Sequence, residues 1–393
     1  MDLKEMNLKL HSLAVFHNLL NDSLLKSFCT LLDPEDQSNL KQVKNYSAFI
    51  SLLLNEGGDL TDAVLSRVLD DENVYIRSKA QKEFIASSLE NSLQSELEIL
   101  QELSGTPSRD ITNAMGYDGY LPVWKTHPAD FSQAYRERIE NLSRVGYGIF
   151  SKHHMFMVKE AVITPVSFPD PVRLTDLKGY ARERGAVVQN TLSLLKGKPA
   201  ANALLYGDAG TGKSSTVKAV VNEYKDEGLR LIEITKKQLN DIPQIVEALI
   251  GHPLKFILFI DDLSFDQNND DFKALKAILE GSVSAKAPNI AVYTTSNRRH
   301  LVKEFFSERN GDDIHVGETI QELTSLSERF GLSVPFLQPD KALYLEIVRG
   351  LAVQFGVMAK DIDEQAERYA LLRGGRSPRV ARQFIEYMKS TQE

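Results

Sequence analysis

One octapeptide constrains the fold of this 393-residue chain more than any other stretch. It is Gly207-Asp208-Ala209-Gly210-Thr211-Gly212-Lys213-Ser214, which matches the pattern G-x-x-x-x-G-K-[ST] at every position. The short apolar run before it, residues 203–206, predicts a buried strand, and the apolar spacing after it predicts a helix as far as Tyr224. A strand, a glycine-rich turn and a helix in this order predict a loop whose backbone N–H groups surround a phosphate.

The residue types of this loop suit a phosphate chain and a cation. Glycine permits the positive φ angles that turn backbone N–H groups inward. Lys213 carries a charge for the β- and γ-phosphate oxygens, and Ser214 offers a hydroxyl to Mg²⁺. We therefore expect nucleotide contacts from Gly207, Asp208, Ala209, Gly210, Thr211, Gly212, Lys213, Ser214 and Ser215.

The composition predicts a cytoplasmic protein without membrane spans. Hydrophobic residues make up 42% of the chain, and no apolar stretch approaches the ~20 residues of a transmembrane helix. Cys29 is the only cysteine, so no intrachain disulfide can form, and the first residues lack the pattern of a signal peptide. The net charge is −8, and residues 51–100 hold ten acidic and four basic side chains. This acidity argues against broad, non-specific nucleic-acid binding, which requires a basic face.

The first 170 residues predict a mostly helical domain. Apolar spacing predicts one long helix from Val74 towards Leu103. Its apolar stripe consists of Ile76, Phe84, Ile85, Leu89, Leu93, Leu97 and Leu100, and the spacing of the four leucines would suit packing against another helix. We favour a domain core for this stripe over a coiled-coil seam, because the pattern spans too few heptads. The only tryptophan, Trp124, ends a loop rich in glycine and aromatic residues, and we favour a loop pinned by its rings over a partner-binding loop.

Strands and helices alternate after residue 170, which is typical of a parallel α/β sheet. The predicted strands are residues 203–206, 229–234, 256–260, 290–295 and 332–336, and one of the predicted helices covers residues 271–281. The proline-containing segment 168–171 marks a boundary, and a helical pattern begins at Asp340. We predict a helical N-terminal domain over residues 1–170, an α/β core over 171–338 and a helical lid over 339–393.

Two of the predicted strands end in polar residues that suit a metal ion and a reacting water. The strand 256–260 ends in Asp261-Asp262, so Asp261 is the candidate Mg²⁺ ligand and Asp262 the candidate base for the attacking water. Asn297 ends the following strand, and we expect it between the metal-binding strand and the loop, within reach of the γ-phosphate. Arg298 and Arg299 come next and are a less favoured candidate for nucleic-acid contacts.

These motifs together resemble those of AAA+ ATPases over residues 171–393. Two further motifs carry the resemblance: Ser327-Glu328-Arg329-Phe330-Gly331 before the last strand, and Gly375-Arg376-Ser377-Pro378-Arg379 in the helical tail. More narrowly, residues 259–265, 295–301 and 327–332 resemble a bacterial AAA+ family known only as a domain of unknown function.

The resemblance implies a P-loop parallel sheet of AAA+ type with a C-terminal helical lid, and ATP and Mg²⁺ as cofactors. It implies catalytic roles for Lys213, Asp262, Asn297, Arg329 and Arg379. Asn297 would be the first sensor, Arg379 the second, and Arg329 an arginine finger acting on ATP held by a neighbouring subunit. A homo-oligomer, either a ring or a transient assembly, is therefore expected. Rival fingers are Arg298, Arg299 and Arg309.

Asp262 departs from the family, because most AAA+ enzymes have Asp-Glu where this chain has Asp-Asp. The shorter carboxylate predicts slow hydrolysis. The expected function is slow, Mg²⁺-dependent ATP hydrolysis that drives conformational change on a protein client. The alternatives are a non-hydrolysing, nucleotide-gated adaptor and a DNA-associated ATPase similar to helicase loaders. A small-molecule kinase is disfavoured, because it does not need the long chain after Asn297.

Overall fold

The computed structural model describes residues 3–33, 38–263, 287–297 and 329–391. Its contacts divide the chain into two compact units: unit 1 is Met1–Lys152 with Gly251–Pro253, and unit 2 is His153–Ile250 with Leu254–Glu393. The predicted helix over residues 271–281 and the arginines 298, 299 and 309 lie outside the described residues. Among the helices that are described, none is long and apolar enough to cross a membrane.

Unit 1 is built from helices, most of which bury their apolar faces in a shared core. They are α1 (Leu3–His11), α2 (Ser23–Leu32), α3 (Asn39–Asn55), α4 (Leu60–Asp70), α5 (Val74–Gln81), α6 (Ser87–Ser104), α7 (Ser108–Thr112), α8 (Phe131–Glu140), α9 (Leu142–Val145) and α10 (Ile149–Lys152). Several begin where an Asp or Asn side chain accepts from the first backbone N–H groups, which otherwise lack a partner within the helix. These caps are Asp22, Asp59, Asn73 and Asp130.

The single long helix predicted from Val74 towards Leu103 is wrong, because the chain breaks between α5 and α6. Lys82 ends α5 in the left-handed conformation, with a φ of 58°. This conformation stops a helix and turns the chain. Phe84, one of the residues on the predicted stripe, lies between the two helices and is 92% exposed, whereas Leu93 on α6 packs in the core.

Two favoured interpretations of unit 1 are confirmed. The leucine stripe belongs to the core, since Leu97 is 2% exposed and Leu100 is fully buried. The ring of Trp124 packs against Tyr46 and Phe49, and its Nε1 donates to the carbonyl of Thr106 across 2.9 Å. The aromatic loop is therefore pinned to unit 1 at its tryptophan.

Unit 2 contains a seven-stranded sheet in the order β2-β1-β4-β5-β6-β3-β7. The strands are β1 (Met155–Lys159), β2 (Val162–Pro165), β3 (Ala203–Gly207), β4 (Leu229–Ile234), β5 (Lys255–Ile260), β6 (Ile290–Ser296) and β7 (Leu332–Phe336). Neighbouring strands are parallel except for β1 and β2. All five predicted strands are present. The continuous apolar run of β5 is explained by burial on both faces, since Phe256 and Ile257 are both fully buried.

The helices of unit 2 are α11 (Ala181–Leu195), α12 (Lys213–Tyr224), α13 (Ile242–Leu249), α14 (Lys341–Phe355), α15 (Ile362–Leu372) and α16 (Pro378–Thr391). The last three form the predicted helical lid, and α14 and α16 share an apolar core with the sheet through Val348 and Phe384. The phosphate-loop sequence joins β3 to α12. The strand order and the lid confirm the predicted fold class in its architecture, an α/β parallel sheet with a C-terminal helical lid and a helical N-terminal region.

The compact units divide earlier than the boundary predicted at residue 170, because β1 and β2 belong to the sheet of unit 2. Phe156 on β1 pairs with Ile232 on β4, and Met155 belongs to the apolar core of this sheet. The proline-containing segment 168–171 therefore lies inside unit 2. Prolines mark a break in regular structure, but the pairing of strands decides which unit a segment joins.

Candidate active site

The loop between β3 and α12 owes its shape to glycines in conformations that other residues rarely adopt. Gly207, Gly210 and Gly212 have φ angles of 131°, 76° and 93°. A Cβ atom on Gly207 would lie 2.2 Å from the carbonyl oxygen of Phe336, so β7 leaves no room for a side chain there. The hydroxyl of Thr211 donates to the carbonyl of Asp208 across 2.8 Å and closes the turn. Both glycine and threonine therefore shape the loop.

Asp208 ties the loop to the chain that leads into the lid. Its backbone N–H donates to the carbonyl of Phe336 across 3.1 Å, and its Oδ2 accepts from the backbone N–H of Gln338 at 2.7 Å. On the opposite side of the loop, the backbone N–H of Arg379 donates to the carbonyl of Gly210 across 3.2 Å. The loop is thus hydrogen-bonded both to the segment that precedes α14 and to the segment that follows α15 in the chain.

Lys213, the first residue of α12, is 5% exposed and points along the loop. Its Nζ donates to the carbonyls of Gly207 and Asp208, at 2.9 and 2.8 Å, and to Oδ1 of Asn297 at 2.9 Å. Burial lowers the pKa of Lys213 below its ordinary value, and the neighbouring carboxylates of Asp208, Asp262 and Asp261 partly offset this shift. A buried ammonium group held by neutral acceptors favours an anionic partner.

Asp261 follows β5 and meets Ser214 from α12. The hydroxyl of Ser214 donates to Oδ1 of Asp261 across 2.6 Å, and the hydroxyl of Thr295 donates to the same oxygen across 2.5 Å. A hydroxyl and a carboxylate are hard oxygen ligands of the kind that Mg²⁺ prefers. Since the two groups already lie side by side, the residues fit a Mg²⁺ ion.

Asp262 is held in an unusual backbone conformation, with a φ of 52°. Its backbone N–H donates to the hydroxyl of Thr295 across 2.8 Å and to Oδ1 of Asp261 across 3.1 Å. Its Oδ1 accepts from Nδ2 of Asn297 at 2.7 Å. Left-handed backbone costs about 1–2 kcal/mol for a residue other than glycine, and such strain clusters at functional sites.

Asn297 lies between the end of β5 and the loop, which is the position predicted from the sequence. The reason is the strand order, which places β6 between β5 and β3. The carboxyl ends of parallel strands lie at the same edge of a sheet. The residues that follow β5 and β6 therefore lie beside the loop that follows β3. The structure thus brings together five of the predicted site residues: Lys213, Ser214, Asp261, Asp262 and Asn297.

These residues line one cavity of about 710 Å³ within unit 2. Ligand pockets commonly measure ~300–1,000 Å³. The lid contributes Arg379 and Arg382, and α11 contributes Arg184, whose pKa is lowered by burial. Apolar side chains form another part of the wall: Val172, Leu177, Ile347, Leu351 and Phe355. The cavity lining therefore combines charged side chains of both signs with an apolar wall.

Three arginines of the predicted motifs differ in position. Arg379 lines the cavity beside Gly210, whereas Arg376 pairs with Glu367 through Nε at 2.8 Å and Nη2 at 2.6 Å. Arg329 precedes β7, is half-buried and does not line this cavity. Its role as a finger acting on a neighbouring subunit stays a prediction.

Sequence reasoning missed Thr295, Arg184, Arg382 and the apolar wall. One signal was available for Thr295, because it lies two positions before Asn297 and alternate residues of a strand share a face. Arg184 and the wall residues come from segments far apart in sequence, and no local pattern connects them.

A protein-family model described as "Protein of unknown function (DUF815)" matches residues 151–392. Part of the chain is also similar to replication factor C large subunits. The one from Staphylothermus marinus is 32% identical over 117 residues, covering 28% of this chain and 27% of that protein. The one from Sulfolobus acidocaldarius is 35% identical over 105 residues, covering 25% and 24%. The chain thus spans about a quarter of the length of these curated relatives.

Among solved structures, a mutant form of RuvB from Thermotoga maritima is similar to 55% of this chain, and the match covers 64% of that protein. The sequence identity is 16% and the TM-score is 0.38. At this level of similarity, the strand order and the loop geometry remain the basis for the fold.

Proposed function

We propose that this chain, which belongs to the family described as "Protein of unknown function (DUF815)", is a Mg²⁺-dependent ATPase that changes the conformation of a protein client. One observation carries the proposal: Lys213, Asp261, Asp262 and Asn297 meet at one edge of the sheet and line a single cavity. A cation, oxygen ligands for a metal ion and a carboxylate for the attacking water are the groups that phosphoryl transfer to water requires.

Phosphate binding falls to the loop after β3 and to two cations. Glycines at positive φ turn backbone N–H groups inward, and the start of α12 adds partial positive charge. Nζ of Lys213 is bonded to two neutral carbonyls and one amide oxygen. Phosphate oxygens form stronger, charge-assisted hydrogen bonds with an ammonium group than these neutral acceptors do. Arg379 lines the same cavity and supplies a second charge.

The apolar wall of the cavity suits a nucleobase. Val172 and Leu177 face it from the segment before α11, and Ile347, Leu351 and Phe355 face it from α14 of the lid. A purine ring is flat and largely apolar on its faces, so apolar side chains on both sides of it exclude water and hold it. Because part of this wall belongs to the lid, base binding would couple the nucleotide to the position of the lid.

Ser214 and Asp261 would hold Mg²⁺. The bound ion would neutralise negative charge on the phosphate oxygens. The two ligand groups are already held together, because the hydroxyl of Ser214 and Oδ1 of Asp261 are 2.6 Å apart. Little rearrangement would be needed before binding.

Asp262 would accept a proton from the attacking water, and Asn297 would orient that water together with the γ-phosphate. Asn297 Nδ2 already bonds to Asp262 Oδ1 at 2.7 Å, so the amide aligns the carboxylate. An aspartate side chain is one methylene shorter than the glutamate usual in AAA+ enzymes, and we therefore propose slow turnover. Arg329 would complete the site of a neighbouring subunit in a homo-oligomer.

A second candidate function is a nucleotide-gated adaptor that does not hydrolyse ATP. The motivating observation is that the short side chain of Asp262 has one oxygen engaged by Asn297. A third candidate, a DNA-associated ATPase, is motivated by the partial similarity to replication factor C large subunits. Nucleotide binding is common to all three candidates.

The test compares wild type with Lys213→Ala and with Lys218→Ala. Lys218 lies on the same helix, and its Nζ lies 3.6 Å from a carboxylate oxygen of Glu233. We expect wild type and Lys218→Ala to bind ATP equally and to release phosphate slowly. Lys213→Ala should bind ATP at least about tenfold more weakly, because a charge-assisted hydrogen bond contributes roughly 1.5–3 kcal/mol.

Three outcomes separate the candidates. Wild type that binds no ATP contradicts all three. ATP binding without phosphate release, with and without added protein or DNA, favours the adaptor. Phosphate release that rises on adding DNA, and loses this rise steeply with salt, favours the DNA-associated ATPase.

A further inference from the structure

Thr295 lies next to both carboxylates of the site and touches each residue through one hydroxyl group. It belongs to β6 and is 2% exposed. Its Oγ1 donates to Oδ1 of Asp261 across 2.5 Å and accepts from the backbone N–H of Asp262 at 2.8 Å. A hydroxyl has a single proton to donate, and here that proton is committed to Asp261.

The backbone of Thr295 contributes to the same arrangement. Its carbonyl accepts from the N–H of Leu263 across 2.7 Å. The regular pairing of β5 with β6 reaches Ile260 opposite Thr294, so Asp261 and Asp262 form a kink between two points of attachment to β6. Asp262 adopts a φ of 52° within this kink. The N–H of Asp262 has two acceptors in that conformation, and the Thr295 hydroxyl at 2.8 Å is nearer than Oδ1 of Asp261 at 3.1 Å.

The carboxylate of Asp261 depends on Thr295 in a second way. Its Oδ1 accepts from Ser214, from Thr295 and from the backbone of Asp262. Under the proposed function, the Ser214 hydroxyl would turn towards Mg²⁺ and its hydrogen bond to Asp261 would be lost. The bond from Thr295 would remain, because Thr295 is not itself a metal ligand, and it would keep the carboxylate from rotating. Such supporting groups orient metal ligands, and their loss commonly weakens metal affinity or activity about 10–100-fold.

We propose that Thr295 is a positioning residue whose hydroxyl sets the orientation of the metal ligand Asp261 and the backbone conformation of the base Asp262. The inference rests on the proposed function and deepens it. Thr295 would thereby couple cation binding to the placement of the carboxylate that receives the proton. It would not itself contact the nucleotide.

The test uses Thr295→Val, which keeps the shape of the side chain and removes the hydroxyl, and Thr295→Ser, which keeps the hydroxyl. Thr294→Val is the matched control. Thr294 is the preceding residue of the same strand and is fully buried, and its Oγ1 is among the side-chain atoms of the described residues that have no hydrogen-bond partner. Removal of that hydroxyl therefore breaks no hydrogen bond within the part of the chain that the structure describes.

Two quantities are measured on the full chain: the Mg²⁺ concentration that half-saturates binding of a non-hydrolysable, fluorescent ATP analogue, and the rate of phosphate release. For Thr295→Val we expect at least about a tenfold higher Mg²⁺ requirement and at least about a tenfold lower rate. Affinity for the analogue without Mg²⁺ should stay within about twofold, since Thr295 makes none of the phosphate contacts. Thr295→Ser and Thr294→Val should match wild type within about threefold in both quantities.

The inference is overturned if Thr295→Val has the same Mg²⁺ requirement and the same rate of phosphate release as wild type. It is also overturned if Thr295→Ser is as defective as Thr295→Val. If thermal denaturation shows that Thr295→Val is not folded, Thr295→Ala replaces it, with the same expected results. Wild type that binds no analogue overturns the proposed function together with this inference. Wild type that binds it normally, with a Mg²⁺ requirement unaffected by Thr295→Val, overturns the inference alone.

Discussion

Nδ2 of Asn297 donates to Oδ1 of Asp262 across 2.7 Å, while Oδ1 of the same amide accepts from Nζ of Lys213 at 2.9 Å. A single amide group thus connects the cation of the phosphate loop to the carboxylate at the end of β5. An asparagine suits this position because its side chain both donates and accepts, whereas an aspartate only accepts when ionised.

This relationship predicts the behaviour of Asp262→Asn. The new amide retains an oxygen that accepts from Asn297, so the site keeps its geometry, but it cannot take a proton from water. We expect phosphate release to fall by about 10²–10⁴-fold, the usual contribution of a general base, with ATP affinity within about threefold of wild type. Single-turnover phosphate release and equilibrium binding measure the two quantities. Asp361→Asn, at an exposed carboxylate before α15, is the control and should leave both unchanged. Undiminished turnover in Asp262→Asn would exclude Asp262 as the base.

Arg379→Ala tests the lid contribution. The backbone N–H of Arg379 bonds to the carbonyl of Gly210, and this bond survives the substitution, so the change removes only the guanidinium group from the cavity. Since a charge-assisted hydrogen bond contributes roughly 1.5–3 kcal/mol, we expect ATP affinity to fall about 10–100-fold. The measurement is equilibrium titration with ATP and Mg²⁺.

Arg368→Ala is the matched control for this lid variant. Arg368 also belongs to the lid, but its side chain is 74% exposed and pairs with Glu364 one helical turn away. We expect its loss to leave ATP affinity unchanged. Equal affinities for Arg379→Ala and Arg368→Ala would show that Arg379 does not contact the nucleotide.

Arg329→Ala tests catalysis between subunits. Arg329 does not line the cavity of its own chain, so we expect the variant to bind ATP normally and to lose at least about 10³-fold in turnover, as arginine fingers do. Mixing it with Lys213→Ala should restore part of the activity. In such a mixture, a Lys213→Ala subunit supplies Arg329 to the ATP held by an Arg329→Ala subunit. No recovery over a range of mixing ratios, with mixed oligomers verified, would contradict the prediction.

Asp71→Asn tests a buried carboxyl in unit 1. Asp71 is 8% exposed, and burial raises its pKa to about 6. The folded state therefore holds this proton more tightly than the unfolded chain does, and the associated stability is lost as pH rises from the ordinary pKa of 3.8 through about 6. The asparagine side chain cannot ionise. The free energy of unfolding of Asp71→Asn should therefore exceed that of wild type by roughly 1–3 kcal/mol at pH 7.5 and equal it near pH 4.

Urea unfolding followed by the fluorescence of Trp124 measures this difference, because the only tryptophan of the chain is buried in unit 1. Asp118→Asn, at an exposed position, should leave stability unchanged at both pH values. Equal stability of Asp71→Asn and wild type at pH 7.5 would contradict the expectation.

Several parts of this architecture could be predicted from local residue patterns. The apolar runs of β3 to β7 predicted strands, because a strand buried on both faces has few polar residues. The loop after β3 was predictable because its glycines adopt φ angles that most other residues avoid. The proximity of Asp261 and Asn297 was predictable because both residues follow strands, and parallel strands have their carboxyl ends at the same edge of the sheet.

Other parts depended on long-range contacts. The break at Lys82 was missed because apolar spacing continues through it. Strands β1 and β2 precede the predicted boundary but belong to the sheet of unit 2, since the pairing of β1 with β4 joins residues far apart in the sequence, such as Phe156 and Ile232. No local pattern reports such a pairing.

The sequence by itself determined the phosphate loop, the strands that precede the site and four of its charged residues, which are Lys213, Asp261, Asp262 and Arg379. These features depend on backbone preferences and on burial, which act over a few neighbouring positions. The tertiary structure alone decided that one hydroxyl, from Thr295, bonds to both Asp261 and Asp262. It also decided that α14 and α16 of the lid contribute to the cavity wall. Such contacts depend on the order of strands and on the close packing of side chains from distant segments, which are set only when the whole of unit 2 is folded.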